Sequence, residues 1–124
     1  MFGVRVVLPP AALALTAAAP PPQRIDVALS NFKFTPNTIA LRHGQSYLLH
    51  LTSSGGHSFS AKAFFAAATL TPADRARVND GKVELEDGDS VDLRFVAPAP
   101  GSYPIKCTHF LHAGFGMTGK FIVS

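Results

Sequence analysis

The sequence predicts an all-β sandwich, and three observations carry that expectation. Apolar residues alternate with polar ones in short runs of strand length. The runs are punctuated by turn formers: Pro36-Asn37, His43-Gly44, Gly55-Gly56, Asp87-Gly88 and Pro98-Ala99-Pro100-Gly101. The chain has 124 residues, 47% hydrophobic and 15% charged, which suits one domain with a sizeable core and excludes a disordered, charge-dominated chain.

Ile25, Val27 and Leu29 alternate with Asp26, Ala28 and Ser30 as a half-buried strand would, and Phe32 and Phe34 extend the alternation. Thr38 to Arg42, the turn His43-Gly44-Gln45, and Ser46 to Thr52 read as strand, turn, strand. A strand starts at His57 after the Gly55-Gly56 break. Lys82 to Glu86, the turn Glu86-Asp87-Gly88-Asp89, and Ser90 to Val96 read as a hairpin. Ser102 to Thr108 and Gly119 to Val123 are the last two strands. Phe32, Phe34, Phe59, Phe95 and Phe121 are expected in the core.

One segment departs from this pattern. Ala61 to Leu70 is rich in Ala and Phe, which suits a helix with Phe64 and Ala68 on one face. Thr71-Pro72-Ala73-Asp74 reads as a second helix start, with Thr71 as N-cap and Pro72 in the first helical position. About 20 residues of helix, around 61–80 and ended by Asn79-Asp80-Gly81, are therefore expected to interrupt the sheet.

Residues 1–19 resemble a cleaved secretory signal peptide: Arg5 near the start, then the weakly apolar run VVLPPAALALTAAA closed by small residues. That run is shorter than the roughly 20 apolar residues a membrane span needs. Residues 20–24 read as a proline-rich linker and 25–124 as the folded domain. The formal charge of +3 falls to +2 without Arg5, and the basic residues are scattered without a stripe, which gives nucleic-acid binding no support. Cys107 is the lone cysteine, so an exported chain cannot staple itself, and a surviving thiol needs burial, a partner chain or a metal.

The chemistry concentrates in Cys107-Thr108-His109-Phe110-Leu111-His112-Ala113-Gly114-Phe115-Gly116-Met117, where cysteine, histidine and methionine fall five residues apart. His57 opens an earlier strand. A soft sulfur, two imidazoles and a weak thioether are the donor set of a blue-copper electron-transfer site. Blander readings stand beside it: Cys107 as an inert buried thiol, His57 as a turn cap, His112 as a loop residue, Met117 as core filler. His109 reads as a surface residue near the site or as a ligand displacing His112 or Met117. His43 and His50 have no partner by spacing and read as structural.

These residues resemble the cupredoxin family, the plastocyanin- and azurin-like small blue copper proteins. The likeness extends to the turn His43-Gly44-Gln45, to Asp87-Gly88-Asp89 with the strand after it, and to Pro100-Gly101-Ser102-Tyr103 leading into Cys107. It implies a Greek-key β-sandwich binding one copper ion (Cu+/Cu2+) through the metal ligands His57, Cys107, His112 and axial Met117. It also implies a periplasmic, exported electron carrier, monomeric and not an enzyme, meeting a redox partner through a patch formed by His112, Ala113 and Phe115. The alternative is a copper-delivery or oxidase-accessory protein using the same site, with His109 involved. A Cys-His nucleophilic enzyme lacks a visible base or oxyanion motif, and a zinc site remains open on the same donors. Three departures from the family's pattern stand out: Ser58 follows the first histidine where Asn or Asp is frequent, the Cys-to-His loop has no proline and carries His109, and the helical insert is long.

Overall fold

The structure, a computed structural model, describes Gly3, residues 20–109 and residues 111–124. Apart from Gly3, the expected signal peptide lies outside the described residues. Among the described residues, ten strands form two five-stranded sheets packed face to face as a β-sandwich. The first sheet contains β1 (Gln23–Ser30), β2 (Lys33–Thr35), β4 (Ser46–Ser53), β6 (Thr69–Leu70) and β8 (Ser90–Val96), in the order β2-β1-β4-β8-β6. The second contains β3 (Thr38–Leu41), β5 (His57–Ser60), β7 (Lys82–Leu85), β9 (Gly101–Lys106) and β10 (Thr118–Val123), in the order β3-β10-β9-β5-β7. Strand pairing reaches into the segment read as linker, because β1 already pairs with β4 at Gln23 and Arg24.

The alternation read from the sequence decides what is inside. Val27 and Leu29 of β1, Leu49 and Leu51 of β4, and Leu93 and Phe95 of β8 are buried from one sheet. Ile39, Leu41, Phe59, Val83, Leu85, Ile105, Phe121 and Val123 face them from the other. A side-chain period of two sends every second residue to one face, so each strand presents its apolar set to the facing sheet.

The segment expected as a hairpin over residues 82–96 bridges the two sheets instead. β7 pairs with β5, whereas β8 pairs with β4 and β6, so residues 86–89 carry the chain from one sheet to the other rather than closing a hairpin. The turn after β3 does the same, since β3 pairs with β10 and β4 with β1 and β8. Turn chemistry specifies a reversal, and the partner strands determine which sheet receives each arm. The loops β1–β2 and β9–β10 do close hairpins.

The insert is less helical than expected. Helix α1 covers Lys62–Ala67 and α2 covers Pro72–Arg75, six and four residues. Between them Thr69 and Leu70 pair with Val96 and Phe95 as an edge strand. The Arg75 guanidinium donates to the carbonyls of Phe65 (2.6 Å) and Ala68 (3.0 Å), satisfying acceptors that a longer helix would have bonded internally. Thr71 caps α2 as expected, its hydroxyl accepting from Asp74 N–H at 3.3 Å. α1 also fills the core. Phe64 and Phe65 are buried, and Phe64 stacks on Phe121 of β10 with ring centroids 3.8 Å apart.

Candidate metal centre

Two backbone devices build the centre at one end of the sandwich. β9 and β10 form a hairpin whose connecting loop holds Cys107, His109, His112 and Met117. Cys107 N–H donates to Met117 C=O at 3.2 Å, which closes the loop at its base. Inside it, Met117 N–H donates to His112 C=O (3.0 Å) and His112 N–H to His109 C=O (3.1 Å). A short 3-10 turn, Ala113–Phe115, carries the chain between His112 and Met117. The three loop residues singled out by spacing are thereby tied to one another through backbone.

The second device orients His57. Its Nε2–H donates to Ser54 C=O at 3.0 Å, leaving Nδ1 with a free lone pair. Gly55, at φ +85°, lies beside this bond, and a Cβ there would stand 3.3 Å from His57 Nε2. His57 and Ser58 are fully buried, and burial is the main force pushing the His57 imidazole below its ordinary pKa of 6.5. The bond to Ser54 opposes the shift, while His112 and His109 reinforce it.

The structure brings His57, Cys107 and His112 together, with one donor atom from each lying within 4.8 Å of the other two. His112 Nδ1 is 3.2 Å from His57 Nδ1 and 3.5 Å from Cys107 Sγ. An ion bound about 2.0–2.1 Å from nitrogen and about 2.3 Å from sulfur sets its donors roughly 3.3–3.8 Å apart, so the two separations measured from His112 fit a first-row metal to within a few tenths of an ångström. Cys107 is buried, and its sulfur accepts Ser58 N–H at 3.4 Å. Ser58 Oγ accepts Thr108 N–H at 2.7 Å and lies 2.8 Å from Thr108 Oγ1, so serine takes over loop pinning where the family often has Asn or Asp. Met117 is fully buried on the same loop.

His109 stands outside the donor group. Its Nε2–H donates to Glu84 Oε2 at 2.8 Å, at the rim of the centre. Glu84 escaped the sequence reading because it is far away in the chain. Only the β5–β7 register, which sets Glu84 opposite Ser58, carries it here.

Phe32 corrects another expectation. It is 38% exposed rather than core, since the left-handed backbone at φ 68° in the β1–β2 turn takes it out of the strand alternation. Its ring meets His112 edge-on at 5.2 Å and Phe115 at 5.0 Å, and Phe115 and Leu111 are 63% and 54% exposed. His50, expected to lack a partner, bonds Asp92 through Nδ1, and His43 Nδ1 lies 2.9 Å from Pro98 C=O.

Residues 23–124 match the family described as copper binding proteins, plastocyanin/azurin family, and the chain belongs to it. Its cofactor is copper. Among solved structures it is similar to auracyanin B, at 19% identity over 87% of this chain and 93% of that one (TM-score 0.60). It is also similar to auracyanin A, a "blue" copper protein from Chloroflexus aurantiacus (16% identity, 84% and 100%, TM-score 0.58). A chain of a heme-copper terminal oxidase dimer has the same fold (19% identity, 82% of this chain and 65% of that one, TM-score 0.59). No curated protein matches by sequence. Among the described residues no helix is long and apolar enough to cross a membrane.

Proposed function

We propose that this protein is an exported blue copper carrier of single electrons, holding one copper ion through His57, Cys107 and His112 with Met117 as the weak axial donor. The observation that carries the reading is the convergence of two imidazole Nδ1 atoms and one buried sulfur on an ion-sized gap. Copper bound there would supply a one-electron couple. The chain's own part is to keep the donors still. Ser54 holds the His57 ring, Ser58 holds the Cys107 sulfur and the start of the loop, and the Cys107–Met117 backbone bond holds its base. Donors that cannot shift leave little to reorganise when an electron moves.

His112 is only partly buried, and the ring edge opposite Nδ1 is its route to a redox partner. Phe32, Leu111 and Phe115 supply an apolar surface around it, of the kind that marks contact sites. The patch read from His112, Ala113 and Phe115 thus gains Phe32 from a different hairpin. Residues 1–19 would direct export and be removed, so the carrier works as a periplasmic or otherwise exported monomer.

A second reading, copper handling for an oxidase, draws on His109 as a third imidazole 5.4 Å from His112 between ring centroids. One experiment separates the two. The mature chain is loaded with Cu(II), and its visible absorption and EPR are recorded before and after reduction and reoxidation. An intense sulfur-to-copper band with narrow hyperfine splitting that survives cycling supports the carrier. A weak band, or copper lost on reduction, favours handling. A colourless protein that retains zinc would overturn both.

A further inference from the structure

Three imidazoles lie close together at this end of the sandwich, yet only two belong to the donor group. The ring of His109 lies 5.4 Å from that of His112 and 6.4 Å from that of His57, centroid to centroid. It sits on the same loop as Cys107 and His112, and a Cβ on Gly56 would stand 3.7 Å from its Cε1, so it packs against the turn that precedes His57. To offer a nitrogen to an ion held by His57, Cys107 and His112, its side chain would have to turn from this position. A third nitrogen donor would draw a Cu(II) site toward a tetragonal geometry and weaken its bond to sulfur.

What opposes that rotation is Glu84. Its Oε2 accepts the His109 Nε2–H at 2.8 Å, while Lys82 Nζ approaches its Oε1 at 3.7 Å. Lys82 also lies 3.5 Å from Thr108 Oγ1, and Thr108 is bonded to Ser58. The carboxylate is thus held at both oxygens by groups that frame the Cys107 loop. β7 places it there through cross-strand pairing with β5, whose first residue is His57. The bond occupies His109 Nε2, and the ring would have to give up this carboxylate before it could turn inward.

We infer that Glu84 is a positioning residue that latches His109 outside the copper coordination sphere, so that the site keeps two imidazoles and one sulfur. The inference rests on the assignment of His57, Cys107 and His112 as copper ligands. It makes the glutamate's role specific, since Glu84 acts only through His109.

The test is a set of copper-loaded proteins compared by visible absorption and EPR: wild type, Glu84→Ala, Glu84→Gln, His109→Ala, and the double variant Glu84→Ala with His109→Ala. Glu84→Ala is expected to lose intensity in the sulfur-to-copper band and to widen its copper hyperfine splitting. Glu84→Gln keeps an oxygen that accepts from Nε2–H and should hold the wild-type spectrum. His109→Ala should also keep that spectrum, and in the double variant it should return. The inference is overturned if Glu84→Ala leaves the spectrum unchanged. It is equally overturned if the change persists in the double variant, because Glu84 would then act on the site by another route. A wild-type protein without an intense band would instead remove the ligand assignment and this inference together. The Glu84→Gln comparison guards against a fold defect, since glutamine preserves the strand and the length of the side chain.

Discussion

Ser58 and Cys107 face each other across β5 and the end of β9, with the Ser58 N–H donating to the Cys107 sulfur at 3.4 Å. The same residue accepts Thr108 N–H at 2.7 Å through its hydroxyl, so one serine fixes both the Cys107 sulfur and the residue after it. The backbone bond survives any side-chain change, but the hydroxyl bond does not. Ser58→Ala leaves Thr108 N–H without its acceptor and should lower stability by about 1–3 kcal/mol while copper still binds. Urea denaturation of the apo protein checks this. A loss below about 0.5 kcal/mol would mean that the hydroxyl does not pin the loop.

Phe64 shows that the helical insert belongs to the core. It is fully buried, stacked on Phe121, and in edge contact with Phe95 and Tyr103. Phe64→Ala should cost about 3–5 kcal/mol, the range for emptying a buried aromatic site. A denaturation midpoint near wild type would show that the insert packs loosely on the sandwich.

The patch around His112 makes a kinetic prediction. Phe32→Ser and Phe115→Ser remove apolar surface without touching a donor atom. Each should slow electron exchange roughly fivefold or more, the scale of an interface residue worth over 1 kcal/mol, with the absorption band unchanged. Stopped-flow exchange with a small inorganic oxidant and with a protein partner makes the comparison. If the two reactions slow equally, the patch affects the copper site and not docking.

The apo protein should lose stability as the solution is acidified, and His57 contributes to that loss. Its pKa is lowered in the folded state, mainly by burial, from an ordinary 6.5. The unfolded chain therefore takes up the proton first, and the contribution is intact above about pH 6.5 and lost as pH falls from there through the folded value. Between about pH 6.5 and 5, the fall in apo stability should be shallower in His57→Gln than in wild type. Urea titrations at stepped pH measure both slopes, and equal slopes would refute the assignment.

Much of the centre was readable from the chain because its parts are local. Cys107, His112 and Met117 share one hairpin loop, so their spacing alone suggested a common role, and His57 was marked by the Gly55-Gly56 turn before it. Glu84 was not readable, since nothing near it in sequence bears on metal chemistry. Phe32 was misread because a period of two cannot announce the one residue whose backbone turns left-handed. The hairpin expected over residues 82–96 failed for a related reason. A tight turn fixes the reversal of the chain but not the identity of the strands on either side.

The sequence by itself determined the β-sandwich, the buried face of each strand and the loop that gathers sulfur and imidazole, because alternation and turn chemistry act over a few residues. The tertiary structure decided which sheet each strand joins, which carboxylate meets His109, and which aromatic rings flank His112. Those outcomes depend on contacts between residues far apart in the chain, where only the packing of the two sheets against one core selects the neighbours.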